Sequence, residues 1–239
     1  MNEITRLRFL KWLLAGVVFA PGIAVLGRSL DNLRGDRVGW ARLKTRSPIW
    51  MRHARSDPKL TQFFRDCTTL NIDSAWYAAD VERLEEMCKY PLLFSQDIRP
   101  AQNGDARNNL VEYIRRGGFL LIDSCINPGS RGDANVFIAQ HSSAFTEMLP
   151  EARVSLLPDN HELFHCYFKF PDGPPHTAVE PGWNNHGFYA VHSGLRLVGI
   201  ISTSGLQCGW DNMKPLPGHD VICMRMLVNI YIYAMMQGG

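Results

Sequence analysis

The feature that most constrains the fold is a run in the middle of the chain, where a helical pattern passes through two glycines into a short apolar segment. Residues 108–116 carry apolar side chains at helical spacing, Gly117 and Gly118 interrupt that spacing, and residues 119–122 are all apolar. A short apolar run without polar alternation is typical of a strand buried on both faces of a parallel sheet. The run therefore predicts an α/β fold in which ligands bind beyond the carboxyl end of this strand.

Similar patterns recur along the chain, so that strands alternate with helices. Strands are predicted over residues 39–44, 74–78, 91–95, 119–122, 187–191 and 195–202, and helices over residues 57–68, 81–88, 105–116, 134–148 and 221–236. This alternation predicts a mainly parallel sheet covered by helices on both faces. No convincing linker divides the rest of the chain, so we expect a single α/β domain over residues 31–239, with a long proline-rich surface loop over residues 170–183.

Composition narrows the classes of function. The 239 residues are 46% hydrophobic and carry a formal net charge of +2 without a basic block, so no nucleic-acid partner is expected. The cysteines form no C-x-x-C pair, which leaves zinc-ribbon, thioredoxin-type and c-type haem sites without support, and we expect no cofactor. Buried thiols and disulfides both remain open for the six cysteines. They are Cys67, Cys88, Cys125, Cys166, Cys208 and Cys223.

The amino terminus has the layout of an export signal or a membrane anchor. Arg6, Arg8 and Lys11 precede an apolar stretch over residues 12–27, and residues 5–11 resemble a twin-arginine pattern in which one residue separates the arginines. We expect residues 1–30 to anchor the chain with its body on the outer face of the membrane. A buried helix is the alternative, and cleavage of the segment is left open. The apolar positions of the predicted anchor are Trp12, Leu13, Leu14, Val17, Val18, Phe19, Ile23, Val25 and Leu26.

Six short strings, taken in order, resemble the bacterial family called domain of unknown function 4159. The resemblance covers nearly the whole chain after the apolar amino terminus. It implies a flavodoxin-like three-layer sandwich, related to the class I glutamine amidotransferase and trehalose-utilisation-protein superfamily. Because members of the family often carry export signals, it also implies the periplasmic side of a bacterial inner membrane. The strings are WARL at 40–43, YPLLF at 90–94, GGFLLID at 117–123, LPDNHELFH at 157–165, CGW at 208–210 and VNIYIYA at 228–234.

The resemblance makes Cys125 a candidate nucleophile, because the matching strand of the amidotransferase-like superfamily ends in a nucleophile elbow. A thiolate there would need an imidazole base and an acidic group to orient that base. However, the flanking residues Ser124 and Ile126 lack the glycines that usually permit the strained turn. A buried cysteine at a strand end is the alternative. The candidate bases are His161, His165 and His192, and the candidate orienting acids are Asp123 and Asp159.

A second motif, H-E-x-x-H, occurs at His161–Glu162–Leu163–Phe164–His165. In zinc peptidases this motif lies within a helix, so that both imidazoles face the metal and the glutamate activates water. Pro158 stands shortly before the motif, and no glycine-histidine extension follows it. We therefore expect no metal site and interpret the motif as a turn after a strand.

Two groups of polar and aromatic residues are candidates for ligand binding. Asp123, Ser124 and Asn127 follow the central strand and would hold a polar ligand above the sheet, unless they cap local backbone groups instead. Residues 183–187 and 205–212, the latter including Trp210, would line a pocket or a protein interface, with loop packing as the alternative.

Two functions follow from these patterns. A retained anchor combined with an incomplete nucleophile elbow favours a non-catalytic accessory or binding subunit, which joins other protein subunits in a membrane-associated complex. The alternative is a cysteine-dependent hydrolase or amidotransferase-like enzyme that uses Cys125 with a histidine base.

Overall fold

The computed structural model describes residues 37–124, 126, 133–175, 186–211 and 217–237, which contain a seven-stranded sheet. The strand order is β2-β1-β3-β4-β7-β6-β5. The first five strands in this order pair in parallel, and β6 and β5 are added as antiparallel strands. The mainly parallel α/β sheet predicted from the sequence is thereby confirmed. The strands are β1 (Val38–Lys44), β2 (Ile72–Asp80), β3 (Leu92–Ser95), β4 (Phe119–Asp123), β5 (Ala152–Leu156), β6 (Phe188–Ser193) and β7 (Arg196–Ser202).

Helices within the described residues connect the strands and cover the sheet. They are α1 (Asp57–Cys67), α2 (Leu84–Met87), α3 (Gly104–Arg115), α4 (Ala134–Met148), α5 (Leu206–Trp210) and α6 (His219–Gln237). Short 3₁₀ turns lie at Pro48–Met51, Ala54–Ser56, Arg99–Ala101 and Glu162–Phe164. The short helix α5 and the edge strand β5 were not predicted from the sequence.

The two glycines between α3 and β4 have different structural causes. Gly117 has a φ of 102°, a left-handed conformation that glycine adopts without steric cost, and it ends the helix. At Gly118, a Cβ atom would lie 2.4 Å from the Tyr113 ring, so no side chain fits. The chain therefore leaves α3 and enters the centre of the sheet directly.

Two hydrophobic cores lie on opposite faces of the sheet, because successive side chains of a strand alternate in direction. One core packs Trp40, Phe94, Phe119 and Leu121 of the strands against α1, α5 and α6. The other packs Leu43, Leu93, Leu120 and Ile122 against α2, α3 and α4. Helices on both faces explain why β3 and β4 are apolar up to their last residues, Ser95 and Asp123.

The predicted membrane anchor over residues 1–30 lies outside the described residues. Within the part of the chain that the structure describes, no helix combines the length and the apolar character needed to cross a bilayer.

Candidate functional site

Asp123 lies at the carboxyl end of β4 and is completely buried. Its Oδ1 accepts hydrogen bonds from the Ser202 hydroxyl (2.8 Å) and the Gly205 amide (3.1 Å), and its Oδ2 accepts one from the Gln207 amide (3.2 Å). Burial raises the pKa of Asp123 to about 6, although these donors favour the charged form and oppose that rise. The carboxylate therefore serves as the cap of α5.

The local sequence after β7 makes this capping possible. Gly205 has a φ of 66°, which turns the chain from the end of β7 into α5. The Ser202 hydroxyl accepts a hydrogen bond from the Ser204 amide (3.1 Å), and the Ser124 amide donates one to the Ser202 carbonyl (3.2 Å). These bonds join the ends of β4 and β7, and α5 covers the space above them.

Two buried glutamines extend the network from α5 to the loop that follows β1. The Gln207 side-chain amide donates to the Arg52 carbonyl at 2.8 Å. The Gln96 side-chain amide, just past the end of β3, donates to the Gln207 side-chain oxygen. The polar groups at the carboxyl ends of β3, β4 and β7 thus contact one another and the β1 loop.

Trp210, a predicted ligand-binding residue, is fully buried at the end of α5. Its ring packs edge-on against Trp40 (centroids 6.0 Å apart) and Phe94 (5.5 Å). Its indole nitrogen has no hydrogen-bond partner among the described residues. In this conformation Trp210 is part of the core below α5.

A buried ion pair that sequence reasoning missed holds the loop after β1. Arg42 and Asp57 are both completely buried and form a bidentate pair, with Nη2 to Oδ1 at 2.6 Å and Nε to Oδ2 at 2.5 Å. Arg42 Nη1 also donates to the carbonyls of Trp50 (3.0 Å) and Arg52 (2.9 Å). The available signal was a lone arginine inside an otherwise apolar strand, a position that requires a buried partner.

The H-E-x-x-H motif forms a 3₁₀ turn, in which each histidine contacts nearby backbone. The Leu163 amide donates to His161 Nδ1 (3.2 Å), and His165 Nε2 lies 3.1 Å from the Asp159 carbonyl oxygen. Asn229 of α6 holds the turn, because its side-chain amide donates to the carbonyls of Leu163 and Phe168, both at 2.9 Å. Among the described residues, no group of three or more His, Cys, Asp or Glu side chains is arranged to hold a metal ion.

The structure does not bring His161 or His192 beside Asp123. Burial lowers the pKa of His161, and the nearby imidazole of His192 lowers it further. His192 pairs with Leu197 of β7, whereas Asp123 pairs with Ser202 of the same strand. Five residues of an extended strand span ~16 Å, so His192 lies toward the opposite end of the sheet from Asp123.

Cys125 and Asn127, the remaining predicted site residues, lie outside the described residues, as do Trp183, Asn184 and Asn185. Burial raises the pKa of Cys67 and Cys88, and it raises the pKa of Cys166 to about 12. These environments disfavour the thiolate that nucleophilic chemistry needs.

Comparison with known families matches residues 40–235 to the family described as "Domain of unknown function (DUF4159)". No curated protein matches the chain significantly. The matched segment begins at the third residue of β1 and ends near the carboxyl terminus of α6, so it includes nearly the whole described sheet. The chain therefore belongs to the DUF4159 family of domains of unknown function.

Proposed function

We propose that this protein is a membrane-anchored, extracytoplasmic accessory or binding subunit that joins other proteins in a membrane-associated complex and performs no catalysis itself. The observation that carries the proposal is the engagement of Asp123. This carboxylate lies where an α/β enzyme would place catalytic groups, yet both of its oxygens are used to cap α5.

The surroundings of Asp123 support a structural role for this end of the sheet. Leu206, Gln207 and Trp210 of α5 are almost completely buried over the ends of β4 and β7. Gln96 joins the same network through Gln207. A substrate would have to displace these groups, and each displacement would expose buried hydrogen-bond donors or acceptors.

A finer fold assignment belongs to the same proposal. Numbered in turn, the parallel strands follow the order 2-1-3-4-5, which is the order of flavodoxin-like sheets. This order supports a three-layer relative of the class I glutamine amidotransferase superfamily. A fold of this kind does not itself imply activity.

The membrane part of the proposal rests on the sequence. Arg6, Arg8 and Lys11 ahead of the apolar residues 12–27 favour an amino terminus in the cytoplasm and a body on the periplasmic side of the inner membrane.

The test is gentle detergent solubilisation of native membranes, followed by size analysis and identification of co-migrating proteins. We expect the chain at high mass with partners at fixed stoichiometry and with Met1 retained. A lone chain at the mass of a single copy, 27.1 kDa plus detergent, would contradict the proposal.

The competing enzyme hypothesis is tested separately with a thiol-alkylating probe. We expect Cys125 to react no faster than a free thiol of ordinary pKa, and a Cys125→Ser variant to keep its partners. Selective alkylation of Cys125 at a pH well below the usual thiol pKa would instead favour the hydrolase or amidotransferase-like function.

A further inference from the structure

An open cleft of about 610 Å³ lies between the loop after β1, the start of α1 and strand β2. The cleft adjoins the network around Asp123, because Gln207 donates to the Arg52 carbonyl, but Asp123 itself is not part of its lining. Its lining includes Met51, Arg52, His53, Arg55, Pro58 and Trp76.

Buried groups hold the loop that forms this cleft. Arg42 donates to the carbonyls of Trp50 and Arg52, and Gln207 also donates to the Arg52 carbonyl. His53 has a φ of 58°, a left-handed conformation that is costly for a residue with a side chain. Its Nδ1 lies 2.8 Å from Asp211 Oδ2 at the end of α5. The loop is therefore fixed before any ligand arrives, which lowers the entropic cost of binding.

The cleft carries excess positive charge. Of the carboxylates that pack beneath it, Asp57 is paired with Arg42, and Asp211 lies beside His53 and Arg55. Within the described ranges, no carboxylate lies at ion-pair distance from the exposed Arg52. The complementary partner is therefore an anion.

The cleft also presents apolar surface next to these charges. Met51 is 49% exposed, Trp76 is half-buried, and Pro58 is exposed at the start of α1. Tryptophan, arginine and methionine are enriched where proteins bind other proteins. A small ligand is normally enclosed, whereas here the cleft is open and the side chain of Arg55 is 81% exposed. These features favour a segment of polypeptide over a small molecule.

We propose that this cleft binds an acidic peptide segment of a partner protein, with an apolar side chain against Met51 and Trp76 and carboxylates on Arg52 and Arg55. This inference rests on the proposed accessory function and names the chemistry of the partner. Guanidinium–carboxylate pairs supply directional hydrogen bonds, and the apolar contact supplies buried area.

The test uses labelled peptides of about eight residues, in which Glu or Asp alternates with Leu, Phe or Trp. Their fluorescence anisotropy is measured as the purified full-length protein is added. We expect saturable binding that weakens as salt is raised. Arg52→Gln should weaken binding roughly tenfold, since it removes charge-assisted hydrogen bonds at similar side-chain length. Arg65→Gln, an equal charge change at an exposed position of α1 outside the cleft, should have little effect.

Circular dichroism establishes that each variant is folded before binding is compared. Three results would overturn the inference: no saturable binding by the unaltered protein, equal losses in Arg52→Gln and Arg65→Gln, or equal binding of peptides in which Gln replaces the acids. The proposed function fails independently, if no stoichiometric partner accompanies the chain from native membranes. If the partners remain bound to an Arg52→Gln/Arg55→Gln variant, the assignment of the cleft is wrong but the proposed accessory function still holds.

Discussion

At the carboxyl end of the sheet, Asp123 is a side chain of a type that catalyses reactions, yet its role is to accept hydrogen bonds that cap α5. Asp123 accepts hydrogen bonds from Ser202, Gly205 and Gln207. Replacing one carboxylate oxygen with the NH₂ group of asparagine would place a donor against these donors. We expect Asp123→Asn to lower the free energy of unfolding by about 2–3 kcal/mol, because buried donors lose their acceptor. Urea titration measures the change, and Asp105→Asn at an exposed position of α3 is the control. A loss as small as that of the control would contradict the capping role.

Another prediction concerns the pair formed by the partly buried Asp97 and the fully buried His141. His141 Nδ1 lies 2.9 Å from the Phe137 carbonyl and Nε2 lies 3.2 Å from Asp97 Oδ1, and both partners are acceptors. Burial opposes ionisation of Asp97, but hydrogen bonds from His141 and Arg99 hold its pKa well below the usual 3.8. The pair therefore contributes stability above about pH 4, and this contribution is lost as the pH falls toward the pKa of the folded state.

Urea unfolding between about pH 3 and pH 6 measures this dependence. The unaltered protein should lose stability steeply below pH 4, and Asp97→Asn should show a shallower slope over the same range. Parallel slopes for the two proteins would show that other carboxylates cause the acid sensitivity.

At the scale of secondary-structure elements, the turn between α3 and β4 depends on the packing of one ring. The Tyr113 hydroxyl lies 3.1 Å from the Tyr90 carbonyl and 3.2 Å from the Phe119 carbonyl, so the ring that faces Gly118 is held in place. We expect Gly118→Ala to destabilise the fold by about 3 kcal/mol, since the new methyl group forces Tyr113 to move.

The control variant Gly104→Ala separates packing from backbone strain, because Gly104 has a φ of 62° and open space around it. It should cost about 1 kcal/mol in a thermal or urea unfolding experiment. Equal costs would refute the packing explanation.

The elements that could be predicted from the sequence are those that bury their own apolar side chains. Strand β4 and helix α3 have patterns set by the core, and both were recognised. Strand β5 alternates apolar and polar residues in ARVSL, but it is only five residues long, exposes most of them and is held mainly by backbone pairing with β6, so the short pattern was missed. Helix α5 is five residues long and depends on a carboxylate about eighty positions earlier in the chain.

The candidate site follows the same rule. Asp123 could be placed at a strand end from the sequence, but its partners come from β7 and α5, which local patterns do not connect to it. Likewise, nothing in the local sequence pairs Arg42 with Asp57 across fifteen positions. Contacts of this kind depend on tertiary structure, which brings distant segments together.

At the scale of the whole molecule, the proposed location on the outer face of the inner membrane makes a prediction about Cys88. This cysteine is exposed on the described domain, after α2. A membrane-impermeant maleimide should label it in cells whose outer membrane has been removed and whose inner membrane is intact. The reagent then reaches the outer face of the inner membrane but not the cytoplasm. Burial raises the pKa of Cys88, so the labelling is carried out at mildly alkaline pH, where more thiolate is present.

The Cys88→Ser variant identifies the label that belongs to this position, and a cytoplasmic protein with an exposed cysteine reports any leakage. If Cys88 is labelled only after the inner membrane is lysed, the domain lies in the cytoplasm, and the partner that binds the cleft must be sought on that side.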